Sequence, residues 1–118
     1  MPIEMSREQF ELLVDRALDG IPEEIASLVE NVVVLVEDRP PEGEPDDLLG
    51  LYDGVALTER QANHAFELPD RIFVFRLPLL DMCESEAELV EEVEITVVHE
   101  IAHHFGIDDA HLHELGYA

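Results

Sequence analysis

Residues 85–109 read SEAELVEEVEITVVHEIAHHFGIDD, and this stretch predicts a long helix that ends in a candidate metal site. Ser85 with Glu88 three residues later is a helix-start signature, and Gly106 suits the left-handed turn that ends many helices. Between them, apolar residues recur at helical spacing, so one side of the helix is expected to pack on a sheet. These residues are Leu89, Val90, Val93, Val97, Ile101 and Phe105.

Another face of this helix carries the pattern HExxH, from His99 to His103. Two histidines four residues apart lie about 40° apart around a helix and about 6 Å apart along it. Their imidazoles can therefore bind one metal ion, and Glu100 stands beside them, where it can take a proton from an attacking water. The residue types and their spacing favour metal-assisted hydrolysis.

The residues after the second histidine offer a third ligand. Gly106 and Asp109 extend the pattern to HExxHxxGxxD. A catalytic zinc site uses three protein ligands and keeps one position for water. If the chain reverses at Gly106, the carboxylate of Asp109 can return toward the histidine face. The nearby residues that can also bind a metal ion are Asp108, His111, His113 and Glu114. One further histidine, His64, lies far earlier, in a stretch whose apolar residues show neither helical nor strand spacing.

These residues resemble the extended motif of the zincin metallopeptidases, in the variant with an aspartate as third ligand. The chain is also similar to small bacterial zincin-like domains, which share the run HExxHHFG and an ending similar to DDAHLHELGY. The resemblance implies one zinc ion bound by His99, His103 and Asp109, with Glu100 as general base. In larger zincins a tyrosine or a histidine stabilises the oxyanion of the transition state. By position Tyr117 is the first candidate for this role here, ahead of His104, His111 and His113.

Length and charge limit the partners that this chain can have. It has 118 residues, nearly half of them apolar, which is enough for one domain with one core over residues 1–118. A net charge of −23 repels nucleic acid and anionic membranes, and it attracts basic peptides and metal ions. We therefore expect a peptide or protein substrate, with basic ones favoured, and neither a nucleic-acid nor a membrane partner. The simpler interpretation of the acid excess is a solvated acidic surface.

The cysteine content and the N-terminal sequence indicate a cytoplasmic protein. Cys83 is the only cysteine, which excludes an intrachain disulfide, and we expect it to be a buried apolar residue. The start, MPIEMSREQF, lacks the basic residues and apolar run of a secretory signal. No apolar stretch is long enough to span a bilayer.

The rest of the chain predicts an α+β fold with N-terminal helices, a short mixed sheet and a short final helix capped by Asp108. The first strand reads as buried on both faces. In zincins, by resemblance, an edge strand lies along the active-site cleft and pairs with the bound peptide, and the sequence leaves open which strand this is. The expected elements are helices from Ser6 to Gly20 and after Pro22, and strands at 31–38, 48–52, 55–58 and 71–76.

The sequence as a whole favours a zinc-dependent metallopeptidase that hydrolyses peptide bonds with metal-activated water. One alternative is a metal-binding domain of the same fold that serves as a regulatory or interaction module without cleaving peptides. A second alternative is an acidic interaction protein that binds no metal.

Overall fold

A computed structural model describes residues 3–29, 31–54 and 69–117. Within these ranges the chain forms five helices and three strands, which confirms the predicted α+β class. The predicted strand at 55–58 and His64 lie outside the described residues. The elements are α1 (Arg7–Asp19), α2 (Glu23–Ala26), β1 (Val32–Glu37), β2 (Gly50–Asp53), β3 (Asp70–Phe75), α3 (Arg76–Met82), α4 (Glu86–Phe105) and α5 (Asp109–Glu114).

The three strands form a mixed sheet in the order β1-β3-β2. β1 runs parallel to β3, and β2 runs antiparallel to it with Tyr52 opposite Ile72. Among the described residues β2 therefore lies at one edge of the sheet and β1 at the other. The long helix α4 contacts this antiparallel edge strand and the central strand β3.

The prediction that β1 is buried on both faces is wrong. Val33 and Leu35 are each 39% exposed, whereas Val36 is buried and Val32 and Val34 are partly buried. The alternation shows that only one face of this edge strand is covered. A continuous run of β-branched residues did not reveal this, because both faces carry the same residue type.

The long helix α4 has the bounds and caps that its sequence predicts. The Ser85 hydroxyl accepts a hydrogen bond from the Glu88 N–H, and Gly106 ends the helix with φ = 72°, in the left-handed region. The apolar stripe is buried at Leu89, Val93, Val97 and Ile101. It packs against α1 on one side and the sheet on the other.

Phe105, the last residue of the predicted stripe, does not join the core. It is 43% exposed and contacts the rings of Tyr52 and His104 edge-on, with centroids 6.5 and 5.0 Å away. The prediction was wrong here because α4 ends at this residue, and its last turn reaches beyond the elements that cover the stripe.

The sequence pattern does not predict α3, because Pro78 reads as the end of the preceding strand. In the structure Pro78 is the third residue of α3, and proline is tolerated in the first turn of a helix. Cys83 follows α3 and is fully buried, as expected. Within the described ranges, no helix combines the length and the apolar character needed to cross a membrane.

Candidate functional site

The two histidines of the HExxH pattern project from one face of α4. The centroids of the His99 and His103 rings lie 6.0 Å apart, and the ring planes are inclined by 69°. His99 is partly buried and His103 is exposed. A continuous helix from Ser85 to Gly106 sets this spacing, because one helical turn separates the two residues.

His99 has a second partner in the C-terminal segment. Its Nε2 lies 3.1 Å from the carbonyl oxygen of Tyr117. Because a carbonyl oxygen can only accept, this bond requires the proton on Nε2, and in the neutral ring Nδ1 then carries the lone pair. Histidines that bind metals commonly donate their other ring N–H to a carbonyl or carboxylate in this way.

Glu100 lies between α4 and β2 and is partly buried. Its Oε1 accepts a hydrogen bond from the backbone N–H of Tyr52, 3.1 Å away. Burial raises the pKa of the Glu100 carboxyl, and the Tyr52 N–H together with the charges of His103 and His99 partly offset that rise. A carboxyl group held in this way is positioned to accept a proton from a water in the groove and to release it again.

Tyr52 also anchors β2 to the end of α4. Its ring stacks on His104 with centroids 3.9 Å apart and planes inclined by 11°. Its hydroxyl donates to Asp70 Oδ2 at 2.7 Å. Residue patterns alone did not connect Tyr52 to the site, because its bond to Glu100 joins positions 48 residues apart. His104, a sequence candidate for oxyanion stabilisation, is engaged in this stack.

A groove of about 370 Å³ runs beside β2 and contains the candidate catalytic residues. His99, Glu100 and His103 all line it. Its charged lining also includes the acidic residues Asp47 and Glu92. Apolar side chains complete the lining, among them Leu48, Leu49 and Ile95.

Asp109 lies three residues beyond Gly106, at the first position of α5, and is exposed. The preceding residue, Asp108, caps α5 by accepting a hydrogen bond from the His111 N–H at 2.9 Å, as predicted. In the part of the chain that the structure describes, no three His, Cys, Asp or Glu side chains meet in an arrangement that could hold a metal ion. The two histidine rings lie 6.0 Å apart on one face of α4, and the carboxylate of Asp109 does not join them in such a group.

The remaining candidates are not among the residues that line the groove. Tyr117 is buried, with 9% of its surface exposed, and its hydroxyl donates to Glu94 Oε1 at 2.9 Å. Burial, with the bond to Glu94 and its negative charge, raises the pKa of Tyr117 to about 12. His111 Nε2 lies 2.7 Å from Glu24 Oε1, which joins α5 to α2. His113 is exposed.

Comparison with known proteins identifies the family. The sequence model of the zincin-like metallopeptidases matches residues 29–117, which is most of the chain. The chain belongs to the zincin-like metallopeptidase family. The zincin-like fold is similar to that of a solved conserved hypothetical protein from T. thermophilus, with a TM-score of 0.55 and 24% identity over 86% of this chain and 94% of that one. The sequence matches no curated protein.

Zincin-like proteins generally bind zinc, and part of this site fits that ion. Imidazole nitrogens are preferred zinc ligands, and α4 presents two of them from one face. The bond from His99 to the Tyr117 carbonyl supplies the supporting contact that such a ligand usually has. The chemistry of the donors thus agrees with the family, while the third ligand is the part that the described arrangement does not assemble.

Proposed function

We propose that this zincin-like protein is a zinc-dependent metallopeptidase that hydrolyses peptide bonds. In this proposal His99, His103 and Asp109 bind one zinc ion, and Glu100 is the general base. The proposal is supported by the HExxH pattern on a continuous helix, by the family membership and by a groove that contains both histidines and the glutamate.

The observation that carries the proposal is the environment of Glu100. Its carboxylate is partly buried beside two histidines and bonded to the Tyr52 N–H, and its pKa is raised. Bound zinc would supply a water that ionises near neutral pH and would polarise the scissile carbonyl. Glu100 takes the proton of the attacking water and delivers it to the amide nitrogen as the C–N bond breaks.

We propose that the substrate is an extended peptide lying in the groove beside β2. Among the described residues β2 has a strand neighbour on one side, and on its other side the Tyr52 N–H is bonded to Glu100 while Gly50 lines the groove, so we place the peptide beside Gly50. Asp47 and Glu92 in the lining, together with the net charge of −23, favour peptides with basic side chains. A peptide with arginine near the cleaved bond should therefore be cleaved faster than its glutamate counterpart, and added salt should reduce the difference.

Tyr117 remains the proposed stabiliser of the oxyanion because of its position in the sequence, since larger zincins use a tyrosine or a histidine for this role. This role requires its hydroxyl to leave Glu94, to which it donates in the present arrangement. His99 already contacts the backbone carbonyl of the same residue. Movement of the C-terminal segment would therefore affect both the hydroxyl and the support of His99.

The test of the proposed function is Glu100→Gln, which removes the base and keeps the shape of the side chain. We expect zinc-loaded wild-type protein to cleave members of a mixed peptide library containing basic residues. The variant should bind zinc equally and lose about 10²- to 10⁴-fold in rate, the usual contribution of a general base. Equal cleavage patterns for both proteins would exclude Glu100 as the base.

The alternative is a zincin-like module that binds metal without cleaving peptides. It is favoured by two observations: the Tyr117 hydroxyl is engaged with Glu94, and Asp109 stands apart from the histidine pair. Zinc binding by the wild-type protein without cleavage of any library peptide would select this alternative. The absence of zinc binding would instead favour an acidic interaction protein.

A further inference from the structure

Three side chains on α4 form a straight row that faces β2. Thr96, Glu100 and His104 are spaced four residues apart, so they lie on one face of the helix at steps of about 6 Å. On the strand, Gly50 contacts the first member of the row, and Tyr52 contacts the other two. Because Gly50 and Tyr52 are two residues apart, they lie on the same side of β2.

The contact at Gly50 leaves no space for a side chain. A Cβ atom built there would lie 2.6 Å from Thr96 Cγ2, 3.1 Å from the Phe73 carbonyl oxygen and 3.6 Å from Glu100 Cγ. Thr96 is only 7% exposed, so its methyl group is enclosed at this point. A glycine in a strand often marks such a close approach of the backbone to another element.

The bond between the Tyr52 N–H and the Glu100 carboxylate lies between two other contacts of β2 with α4. At one end the Gly50 backbone packs on Thr96, and at the other the Tyr52 ring stacks on His104 at 3.9 Å. The distance between strand and helix at Gly50 therefore controls whether the Tyr52 N–H reaches Glu100 Oε1, now 3.1 Å away.

We propose that Gly50 and Thr96 are positioning residues that hold the Glu100 carboxylate on the Tyr52 N–H and so keep it aimed into the groove. The inference rests on the proposed role of Glu100 as general base. It adds two residues of the groove lining that neither bind the metal nor transfer a proton in the proposed mechanism, and it explains why a glycine begins the short strand β2.

The first test is Gly50→Ala, with Gly50→Ala/Thr96→Ser as the rescue. The added Cβ should push β2 away from α4, and Thr96→Ser removes the Cγ2 methyl that the new atom would meet. Leu51→Ala is the matched control, because Leu51 lines a different cavity together with Phe73 and Phe75. If Gly50→Ala does not fold, Thr96→Ile crowds the same contact from the helix side and replaces it.

The first readout is independent of catalysis and uses the metal-free full chain. The amide proton of Tyr52 should show the downfield NMR shift of a charge-assisted hydrogen bond, and Glu100→Ala defines its position when the bond is absent. Gly50→Ala should move the signal toward that reference, the rescue variant should return it toward the wild-type position, and Leu51→Ala should leave it in place.

The second readout is peptide cleavage by the zinc-loaded variants. Gly50→Ala should lower kcat on the order of 10²-fold, because a displaced catalytic group slows the chemical step, and KM should also change because Gly50 lines the groove. The rescue variant should recover most of the loss. Zinc stoichiometry should remain equal to that of the wild type.

The two readouts separate the two claims. A Tyr52 amide signal that stays at the wild-type position in the crowding variant would overturn the positioning role, whatever the cleavage results. A signal that moves and is rescued, in a protein whose wild type cleaves no peptide, would support the Gly50–Thr96 contact and reject the proposed peptidase. A moved signal with unchanged kcat would also overturn the inference, because the contact would then not serve catalysis.

Discussion

The two sides of Gly106 differ in how far the candidate site is assembled. On the N-terminal side, α4 and β2 bring His99, Glu100 and His103 into one groove, with the glutamate bonded to a backbone N–H. On the C-terminal side, Asp109 is exposed on a helix of six residues and stands apart from the histidines. The difference teaches that a long helix packed on a sheet fixes side-chain geometry, whereas a ligand beyond a glycine turn depends on how the following segment closes.

The largest loss of zinc affinity is expected from removing a histidine on the N-terminal side of Gly106. His103→Ala removes a proposed ligand, so zinc affinity should fall by more than the roughly 10- to 100-fold that loss of a merely supporting contact costs. His113→Ala is the matched control, because His113 is exposed on α5 and is not proposed as a ligand. Competition titration with a zinc chelator measures both, and equal affinities for the two variants would contradict the assignment of the histidine pair.

A smaller loss of zinc affinity is expected from removing Asp109, on the C-terminal side of Gly106. Asp109→Ala should lower zinc affinity by roughly 10- to 100-fold, less than His103→Ala, because part of the binding energy of Asp109 is spent on closing an exposed segment. Asp108→Ala serves as control and should cost about 1 kcal/mol of stability by removing the cap of α5. If Asp108→Ala lost more zinc affinity than Asp109→Ala, Asp108 rather than Asp109 would be the third ligand.

Tyr117→Phe removes the hydroxyl that bonds the C-terminal segment to Glu94 on α4. The hydroxyl bond to Glu94 predicts a loss of about 0.5–1.5 kcal/mol in the free energy of unfolding. The proposed oxyanion role predicts in addition a loss of about 10²- to 10³-fold in kcat, and an unchanged kcat would reject that role. Urea unfolding and peptide cleavage on the same samples distinguish these results.

The same tyrosine should give the stability a dependence on alkaline pH. The pKa of Tyr117 is raised from 10.0 to about 12 in the folded protein, so its contribution is complete below pH 10 and is lost as pH rises through about 12. The stability difference between wild type and Tyr117→Phe should therefore shrink over that interval. A difference that stays constant from about pH 9 to about pH 12 would show that the folded environment does not favour the protonated phenol.

The smallest effect is expected at Cys83, which reports on the packing before α4. Burial, with the nearby charges of Glu88 and Glu92, raises the pKa of the Cys83 thiol to about 11. Alkylation at about pH 8 should consequently be very slow in the native protein and fast in urea, because the thiolate is the reactive form. Rapid labelling of the native protein would indicate that this end of α4 opens readily.

Local sequence signals predicted the parts of the fold that local interactions determine. Ser85 with Glu88, Gly106 and Asp108 each marked a helix end through hydrogen bonds or a backbone angle that depends on a few neighbouring residues. The α+β class and the zincin-like resemblance were likewise confirmed.

Contacts between distant segments could not be predicted in this way. The bond from Tyr52 to Glu100 and the close approach of Gly50 to Thr96 depend on which strand lies beside α4, and no local pattern specifies that. A glycine inside a predicted strand was the available signal for the second contact. The exposed face of β1 and the exposure of Phe105 depend on the same long-range arrangement. The ligand set itself stays a prediction.

The central claim is tested most directly by a crystal structure of the protein with saturating zinc, measured at the zinc absorption edge. We expect one anomalous peak per chain, with nitrogens of His99 and His103 about 2.0–2.1 Å away and a carboxylate oxygen of Asp109 at about 2.0–2.2 Å. Absence of a peak between the two histidines, at a zinc concentration that saturates binding in solution, would contradict the claim.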